Sequence, residues 1–221
     1  YEIVLTNLGS VLNELEKIEE GERYLRKAIN INPASPMALN NLGNILSKKK
    51  NNSEAEFCYR KAIEIKSDFS LAYNNLASLL SRQGKLSEAE EFTEKAILYN
   101  PKFELAYVNL GSIKIDLDKL SEAEELFLRA IEINKNYNYA YSNLFRLYEK
   151  TNNISKLKTK IKRLKEEKNI VNEILMFKAR ISFREKDFIA AKKLIDQVSY
   201  EWIKNTDHST NLLYWMSLIH N

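Results

Sequence analysis

One spacing recurs along the chain and limits what it can fold into: similar residues return every 34 positions. Asparagines that begin an Asn-Leu-(Gly/Ala/Phe) triplet share this separation, namely Asn7, Asn41, Asn75, Asn109 and Asn143. Alanines follow the same period at Ala28, Ala62, Ala96 and Ala130, and serines follow it at Ser53, Ser87, Ser121 and Ser155. Several independent columns with one period indicate a tandem array of similar structural units.

Each unit carries the pattern of amphipathic helices. Apolar residues return at steps of three and four, as in Leu5, Leu8 and Leu12, which is the helical spacing. Gly and Pro number only five and three, whereas an all-β fold would need both in its turns. Ser53-x-x-Glu56 and its equivalents at Ser87 and Ser121 predict capping boxes at the start of each second helix. Ser35-Pro36 predicts a capped helix with Pro at its first position.

Small residues mark places where two helices approach closely. The first helix of most units has Gly or Ala at one position, as at Gly43 and Ala77, where a larger side chain would push the helices apart. The aromatic residues at the repeat positions are predicted to be core residues: Tyr59, Tyr73, Tyr107, Phe127 and Tyr141.

The 34-residue period and these columns resemble the tetratricopeptide repeat (TPR). The resemblance implies an all-α fold, a right-handed α-solenoid of about six helix pairs plus a C-terminal helix. The predicted units span 2–35, 36–69, 70–103, 104–137, 138–171 and 172–205, of which the last two are degenerate. Residues 206–221 begin with Thr206-Asp207-His208-Ser209 and continue with the segment 211–221, which is apolar nearly all round. We interpret them as the first helix of a further, truncated repeat, or as a helix that docks on another molecule.

The resemblance also implies a ligand-binding face, because TPR proteins usually hold ligands on the concave wall lined by their first helices. The register places these residues there: Asn7, Asn41, Asn75, Asn109, Asn143, Asn40, Asn44, Asn74, Ser78 and Ser112. An amide side chain can bond both polar groups of a peptide backbone. Neighbouring helices lie about 8–10 Å apart and an extended chain advances about 3.3–3.6 Å per residue. One Asn per repeat would therefore meet roughly every third residue of a bound strand.

We therefore predict a non-catalytic protein-interaction module that binds an extended segment of a protein partner through an Asn ladder. Variable neighbours, Lys48, Arg82, Asp116 and Lys150, would supply specificity. The sequence leaves a second interpretation open, in which the Asn side chains only join neighbouring helices.

Two other functions are consistent with the pattern. The Asn-Leu-Gly/Ala and Glu-Ala-Glu sequences are similar to the repeats of protein O-linked N-acetylglucosamine transferases. The chain would then be the substrate-recruiting arm of a larger glycosyl- or sulfotransferase whose catalytic domain lies outside it. Alternatively, the chain would be a scaffold that self-associates through its apolar C-terminal helix.

A nucleic-acid partner is not expected. Residues 154–171 hold seven Lys or Arg against two Glu. Leu157, Ile161 and Leu164 interrupt them at helical spacing, and no aromatic residue is available there to stack on bases. We interpret this stretch as a solvated helix face, with an anion-binding patch as the alternative.

Catalytic and metal sites are not indicated either. The two histidines, His208 and His220, have no Cys or acidic partner at a metal-ligand spacing. The single cysteine, Cys58, has no His nearby in sequence and is expected to be an unreactive thiol. We predict no catalytic residue, metal or cofactor in this chain. No apolar run of about 18 residues is present, so we expect no membrane span. A single cysteine allows no internal disulfide and nothing points to an oxidising compartment, and we expect a cytoplasmic protein.

Overall fold

The computed structural model describes residues 1–153, 155, 159 and 171–198, and every regular element in these residues is an α-helix. The chain divides into two compact units, residues 1–133 and 134–221. The helices of the first unit are α1 (Glu2–Glu14), α2 (Ile18–Ile31), α3 (Pro36–Lys48), α4 (Asn52–Ile65), α5 (Ser70–Arg82), α6 (Leu86–Tyr99), α7 (Glu104–Asp116) and α8 (Leu120–Ile133). The described helices of the second unit are α9 (Asn138–Lys150), α10 (Val171–Arg184) and α11 (Phe188–Ile195). The predicted all-α class is confirmed.

The first unit is a stack of four helical hairpins. We name α1, α3, α5 and α7 the A helices, and α2, α4, α6 and α8 the B helices. Each A helix packs on the B helix that follows it, and each B helix packs on the next A helix. Successive A helices also contact each other, whereas the backbones of successive B helices stay farther apart among the described residues. The A helices therefore form the inner row of residues 1–133.

A left-handed residue follows α1, α3, α5, α7, α9 and α10 at the same repeat position. Positive φ angles occur every 34 residues, at Glu16, Lys50, Gly84, Asp118, Asn152 and Lys186. At Lys50 the turn has the Schellman pattern, in which the amide of Asn51 donates to the carbonyl of Leu46 at 2.9 Å. Only Gly84 is the glycine that such a position favours. The hairpin turns therefore hold side chains in a conformation that costs them free energy.

The helix starts confirm one predicted cap and contradict the others. Ser35 caps α3, since its Oγ accepts a hydrogen bond from the amide of Ala38 at 3.4 Å. The predicted capping boxes are wrong: Ser53, Ser87 and Ser121 are exposed and are each the second residue of their helix. The chain enters each B helix directly from the left-handed turn. The helix therefore begins before the serine reaches a capping position.

The predicted close approach of A and B helices is present at Gly43. A Cβ atom added there would lie 2.6 Å from Cε1 of Tyr59, and one at Gly111 would lie 2.5 Å from the Cε1 atom of Phe127. Of the predicted core aromatics, Tyr59, Tyr73, Phe127 and Tyr141 are buried, and Tyr107 is half-buried. The missing glycine side chains thus make room for the aromatic rings.

Some predictions concern parts of the chain outside the described residues. These parts include most of the basic stretch, with Leu157, Ile161 and Leu164, and all of residues 206–221, with His208 and His220. In the portion that is described, no helix is long and apolar enough to cross a membrane.

Candidate peptide-binding face

The Asn column lies on the inner row of helices in the first unit. The A face is our name for the surface of α1, α3, α5 and α7 that carries Asn7, Asn41, Asn75 and Asn109. Asn7 is exposed, and the other three are half-buried. Each of the four residues sits near the middle of its helix, so backbone hydrogen bonds on both sides hold it in place.

Two members of the column form hydrogen bonds between repeats. Nδ2 of Asn75 donates to Oδ1 of Asn40 at 2.9 Å, and Nδ2 of Asn109 donates to Oδ1 of Asn74 at 2.8 Å. Each bond joins one A helix to the next over 35 residues of sequence. The interpretation that Asn side chains join neighbouring helices is therefore correct for Asn75 and Asn109.

The partners of these bonds are buried. Asn40 is 0% exposed and Asn74 is 1% exposed, so the amides predicted to face a ligand lie between helices instead. Consecutive residues of a helix point about 100° apart, so of two adjacent asparagines one faces the neighbouring repeat and the other faces the A face. A buried amide needs a hydrogen-bond partner, and the next repeat supplies it.

The bonds leave one polar atom of each column member available. Oδ1 of Asn75 and Oδ1 of Asn109 accept no hydrogen bond from the described residues, and neither atom is among the buried atoms that lack a partner. These oxygens are therefore open to solvent. Because the amide nitrogen of each residue is fixed by the neighbouring repeat, the oxygen has a fixed direction.

The remaining predicted site residues of the first unit have varied surroundings. Oδ1 of Asn41 accepts from Nδ2 of Asn40 at 3.4 Å, and Oδ1 of Asn44 accepts from the hydroxyl of Tyr59 at 2.8 Å. Ser78 and Ser112 are half-buried, and Oγ of Ser112 donates to the carbonyl of Val108 at 3.0 Å.

Asn143, in the second unit, differs from the rest of its column. It is 7% exposed, and its Nδ2 donates to the carbonyl of Tyr139 in its own helix at 2.8 Å. Its amide is therefore satisfied locally.

Charged residues at the ends of the A helices also join repeats. Lys48 pairs with Glu16 at 3.1 Å and donates to the carbonyl of Asn13 at 3.2 Å. Arg82 donates to Oγ of Ser47. These contacts engage two of the side chains predicted to supply specificity. Both remain exposed, so they border the A face while holding it together.

Sequence reasoning missed a buried cation in α7. Lys114 is 7% exposed and pairs with Glu90 of α6 and Glu122 of α8. Its hydrogen bond is the largest cause that lowers the pKa of the Glu90 carboxyl. The sequence does contain a sign of this buried cation, because Lys114 stands in a repeat column that otherwise holds Leu12, Leu46 and Leu80. The buried lysine at this leucine position pairs with carboxylates from two other helices and so ties three helices together.

The cysteine and the acidic residues do not form a reactive site among the described residues. Cys58 is 3% exposed, and burial raises the pKa of its thiol to about 11. No group of three His, Cys, Asp or Glu side chains in the described portion is arranged to hold a metal ion.

The repeats match known family descriptions in sequence. Tetratricopeptide repeat models match residues 4–35, 36–69, 58–91 and 105–137, which together make up more than half of the chain. The chain belongs to the tetratricopeptide repeat family. No curated protein matches this chain.

Solved structures show the same TPR fold. PilW, a type IV pilus biogenesis factor, is 18% identical with a TM-score of 0.76, over 96% of this chain and 98% of its own. PilF of Pseudomonas aeruginosa is 21% identical with a TM-score of 0.74, over 89% of each chain. YrrB, described as a TPR protein with an unusual peptide-binding site, is 20% identical with a TM-score of 0.56, over 78% of this chain and 89% of its own.

These neighbours support a TPR solenoid, a fold that commonly serves protein–protein interaction. The more specific resemblance to O-linked N-acetylglucosamine transferase repeats gains no support from them. The Asn-Leu-Gly/Ala and Glu-Ala-Glu sequences therefore indicate tetratricopeptide repeats in general.

Proposed function

We propose that residues 1–133 are a non-catalytic module that binds an extended polypeptide segment along the A face. The observation that carries the proposal is the pair of fixed, open amide oxygens on Asn75 and Asn109. A fixed acceptor loses little conformational entropy when it binds. Each oxygen would accept a hydrogen bond from a backbone N–H group of the bound segment.

The repeat geometry supports a backbone-reading mode. Equivalent positions on neighbouring A helices are separated by about 8–10 Å, which an extended chain spans in roughly three residues. Asn41 occupies the same column one repeat earlier and is half-buried, so it extends the row to three amides. Asn7 extends the row in α1, whereas the buried amides of Asn40 and Asn74 would orient the row without contacting the ligand.

The decisive experiment starts from a peptide selected against the whole chain from a random phage-displayed library. Its affinity is then measured by fluorescence anisotropy with N-methyl groups placed at one backbone position at a time. N-methylation removes the N–H donor and leaves the side chain in place. We expect affinity to fall about tenfold, a loss of one to two hydrogen bonds, at positions three residues apart and to change little between them.

A matched pair of protein variants tests the face. The Asn41→Ala, Asn75→Ala, Asn109→Ala variant should lose binding. The Lys27→Ala, Lys61→Ala, Lys95→Ala variant, which changes one column of the B helices at the same period, should retain it. Circular dichroism establishes that both variants are folded. Loss of binding in the lysine variant alone, or N-methyl effects without a period of three, contradicts the proposal.

A further inference from the structure

The A face carries an apolar row beside its asparagines. One helical turn before each Asn of the column, on the same side of the helix, stands an apolar residue: Ile3, Met37, Leu71 and Leu105. Ile3 is 68% exposed and Met37 is 44% exposed, whereas Leu71 and Leu105 are half-buried. The apolar row is our name for these four residues.

The apolar row stays accessible where the neighbouring repeats are in place. The helices α3 and α5 have an A helix on each side. Repeat stacking buries the residue that follows the row in each of them, since Ala38 and Ala72 are 0% exposed. The same stacking leaves Met37 exposed and Leu71 half-buried. The row is therefore part of the surface of the stacked repeats.

The character of the side chains changes across the A face along the direction of the A helices. After the apolar row and the Asn column come two polar columns. The first consists of Ser10, Asn44, Ser78 and Ser112, and the second of Glu14, Lys48, Arg82 and Asp116. All eight residues are exposed or half-buried. A segment that follows the Asn column from repeat to repeat therefore has apolar side chains on one side and polar side chains on the other.

The fixed amides of the Asn column set the geometry of a ligand that uses them. Asn75 and Asn109 are held by equivalent bonds to the preceding A helix, of 2.9 and 2.8 Å, so their Oδ1 atoms have equivalent directions. Neighbouring A helices are separated by about 8–10 Å. A ligand that binds both oxygens in the same way must present N–H groups in one direction at this interval.

The polyproline II (PPII) helix meets this requirement, and the β-strand does not. In a strand, the N–H groups of residues two apart share a direction, at about 6.6–6.8 Å, and the third residue points the opposite way. A PPII helix has three residues per turn and rises about 3.1 Å per residue. Equivalent groups therefore return in the same direction every 9.3 Å or about one repeat. Its backbone groups make no internal hydrogen bonds, so the N–H groups are free to donate.

Building on the function proposed above, we propose that the A face binds segments in the PPII conformation that carry an apolar residue at every third position. The apolar side chain of each turn contacts the apolar row, and one N–H group of each turn donates to an Asn oxygen. The donor residue is not proline, because proline has no N–H group. Proline at other positions favours binding, because its fixed φ lies close to that of PPII and less entropy is lost.

Three labelled synthetic peptides test the conformation and the period, with the full chain as the receptor. The first has four Leu-Gln-Pro repeats. The second has four Leu-Gln-Thr repeats, which keep the leucine period but exchange proline for a residue that favours strands. The third has the composition of the first, with its leucines at alternate positions. In fluorescence anisotropy, the first peptide should bind about tenfold more tightly than the third and clearly more tightly than the second.

A matched pair of protein variants tests the apolar row. Ile3→Ser, Met37→Ser changes its two exposed members and should weaken binding of the Leu-Gln-Pro peptide about tenfold. Ile31→Ser, Leu98→Ser changes two exposed apolar residues of the B helices, which are 52% and 71% exposed, and should bind as the original chain does. Circular dichroism establishes that both variants are folded.

The outcomes separate this inference from the proposed function. Equal affinity for the proline and threonine peptides, or for the peptide with alternate leucines, overturns the PPII assignment. Absence of binding by the proline peptide, or full affinity in the Ile3→Ser, Met37→Ser variant, overturns it as well. In each of these cases the proposed function stands if N-methylation of the library-selected peptide still shows a period of three. Without that period, the backbone-binding mode itself fails.

Discussion

Gly43 leaves the space that the ring of Tyr59 occupies, since a Cβ atom there would lie 2.6 Å from Cε1 of the ring. Both residues are buried in the first unit. The third repeat has Ala77 and Thr93 at the same two columns, and both are 0% exposed. A larger residue on the A helix therefore accompanies a smaller one on the B helix.

We expect Gly43→Ala to destabilise the fold. Alanine favours a helix over glycine by about 1 kcal/mol, but overpacking costs about 1–3 kcal/mol. The net loss should be about 1 kcal/mol in urea unfolding. Adding Tyr59→Thr, which copies the third repeat, should make the two changes non-additive. Simple additivity in the double-mutant cycle would show that the two positions do not share this space.

The left-handed turns predict a stabilising substitution. Lys50 has a φ of 62°, a left-handed conformation that costs a non-glycine residue about 1–2 kcal/mol. The Lys50→Gly substitution removes this cost. Part of the gain is lost because glycine makes the unfolded chain more flexible. We expect a net increase in the free energy of unfolding of about 0.5–1 kcal/mol. Gly84→Ala, at φ of 77°, is the matched reverse change and should destabilise; the same sign for both would refute the explanation.

The Glu90–Lys114 pair predicts a dependence of stability on pH. The pKa of Glu90 is lowered below its ordinary value of 4.5, so the folded state binds this proton less readily than the unfolded state. Its stabilisation is present above pH 4.5 and is lost as the pH falls through the lowered value. The stability difference between the original chain and Glu90→Gln, measured in urea, should shrink as the pH falls below 4.5.

Glu94→Gln serves as the control for this prediction. Glu94 is an exposed residue of the same helix and has no ion pair among the described residues. The Glu94→Gln substitution should change the free energy of unfolding only slightly at every pH. An equal pH dependence for both substitutions would assign the effect to overall charge.

We expect the thiol of Cys58 to react only after the protein unfolds. It is buried, and its pKa of about 11 leaves little thiolate near neutral pH. Modification by a disulfide reagent at pH 8 should be at least roughly a hundredfold slower in buffer than in urea. Ser53→Cys in a Cys58→Ser background moves the thiol to an exposed position of the same helix and should react quickly in both. Fast labelling of Cys58 in buffer would indicate that α4 opens readily.

The sequence was sufficient to predict the helical class and the repeat period, because both follow from the spacing of many residues at once. The start of a B helix was less predictable. Ser53 and Glu56 have capping-box spacing, but a left-handed residue at Lys50 places the helix start before Ser53. Five of the six left-handed positions in the described residues are not glycine, so the residue types at those five positions did not indicate the turn.

Which side chains of the candidate site are buried depends on contacts with the neighbouring repeat. Asn40 and Asn41 are adjacent in sequence, and only packing against the next A helix decides which of them is buried. Lys114 could have been noticed, since it interrupts a column of leucines. Its acidic partners come from two different helices, which a single helical pattern does not bring together.

The hydrogen bond between Asn40 and Asn75 has a consequence for how such arrays change length. If residues 70–103 were deleted, Asn109 would follow Asn40 by 35 residues in the new numbering and meet the partner that Asn75 meets now. Glu56 would then stand before Lys114 and Lys119 in the position that Glu90 holds. The Asn40–Asn75 and Asn74–Asn109 joints are thus chemically equivalent, and recombination by whole units within this stretch would shorten or lengthen the A face while keeping this hydrogen bond.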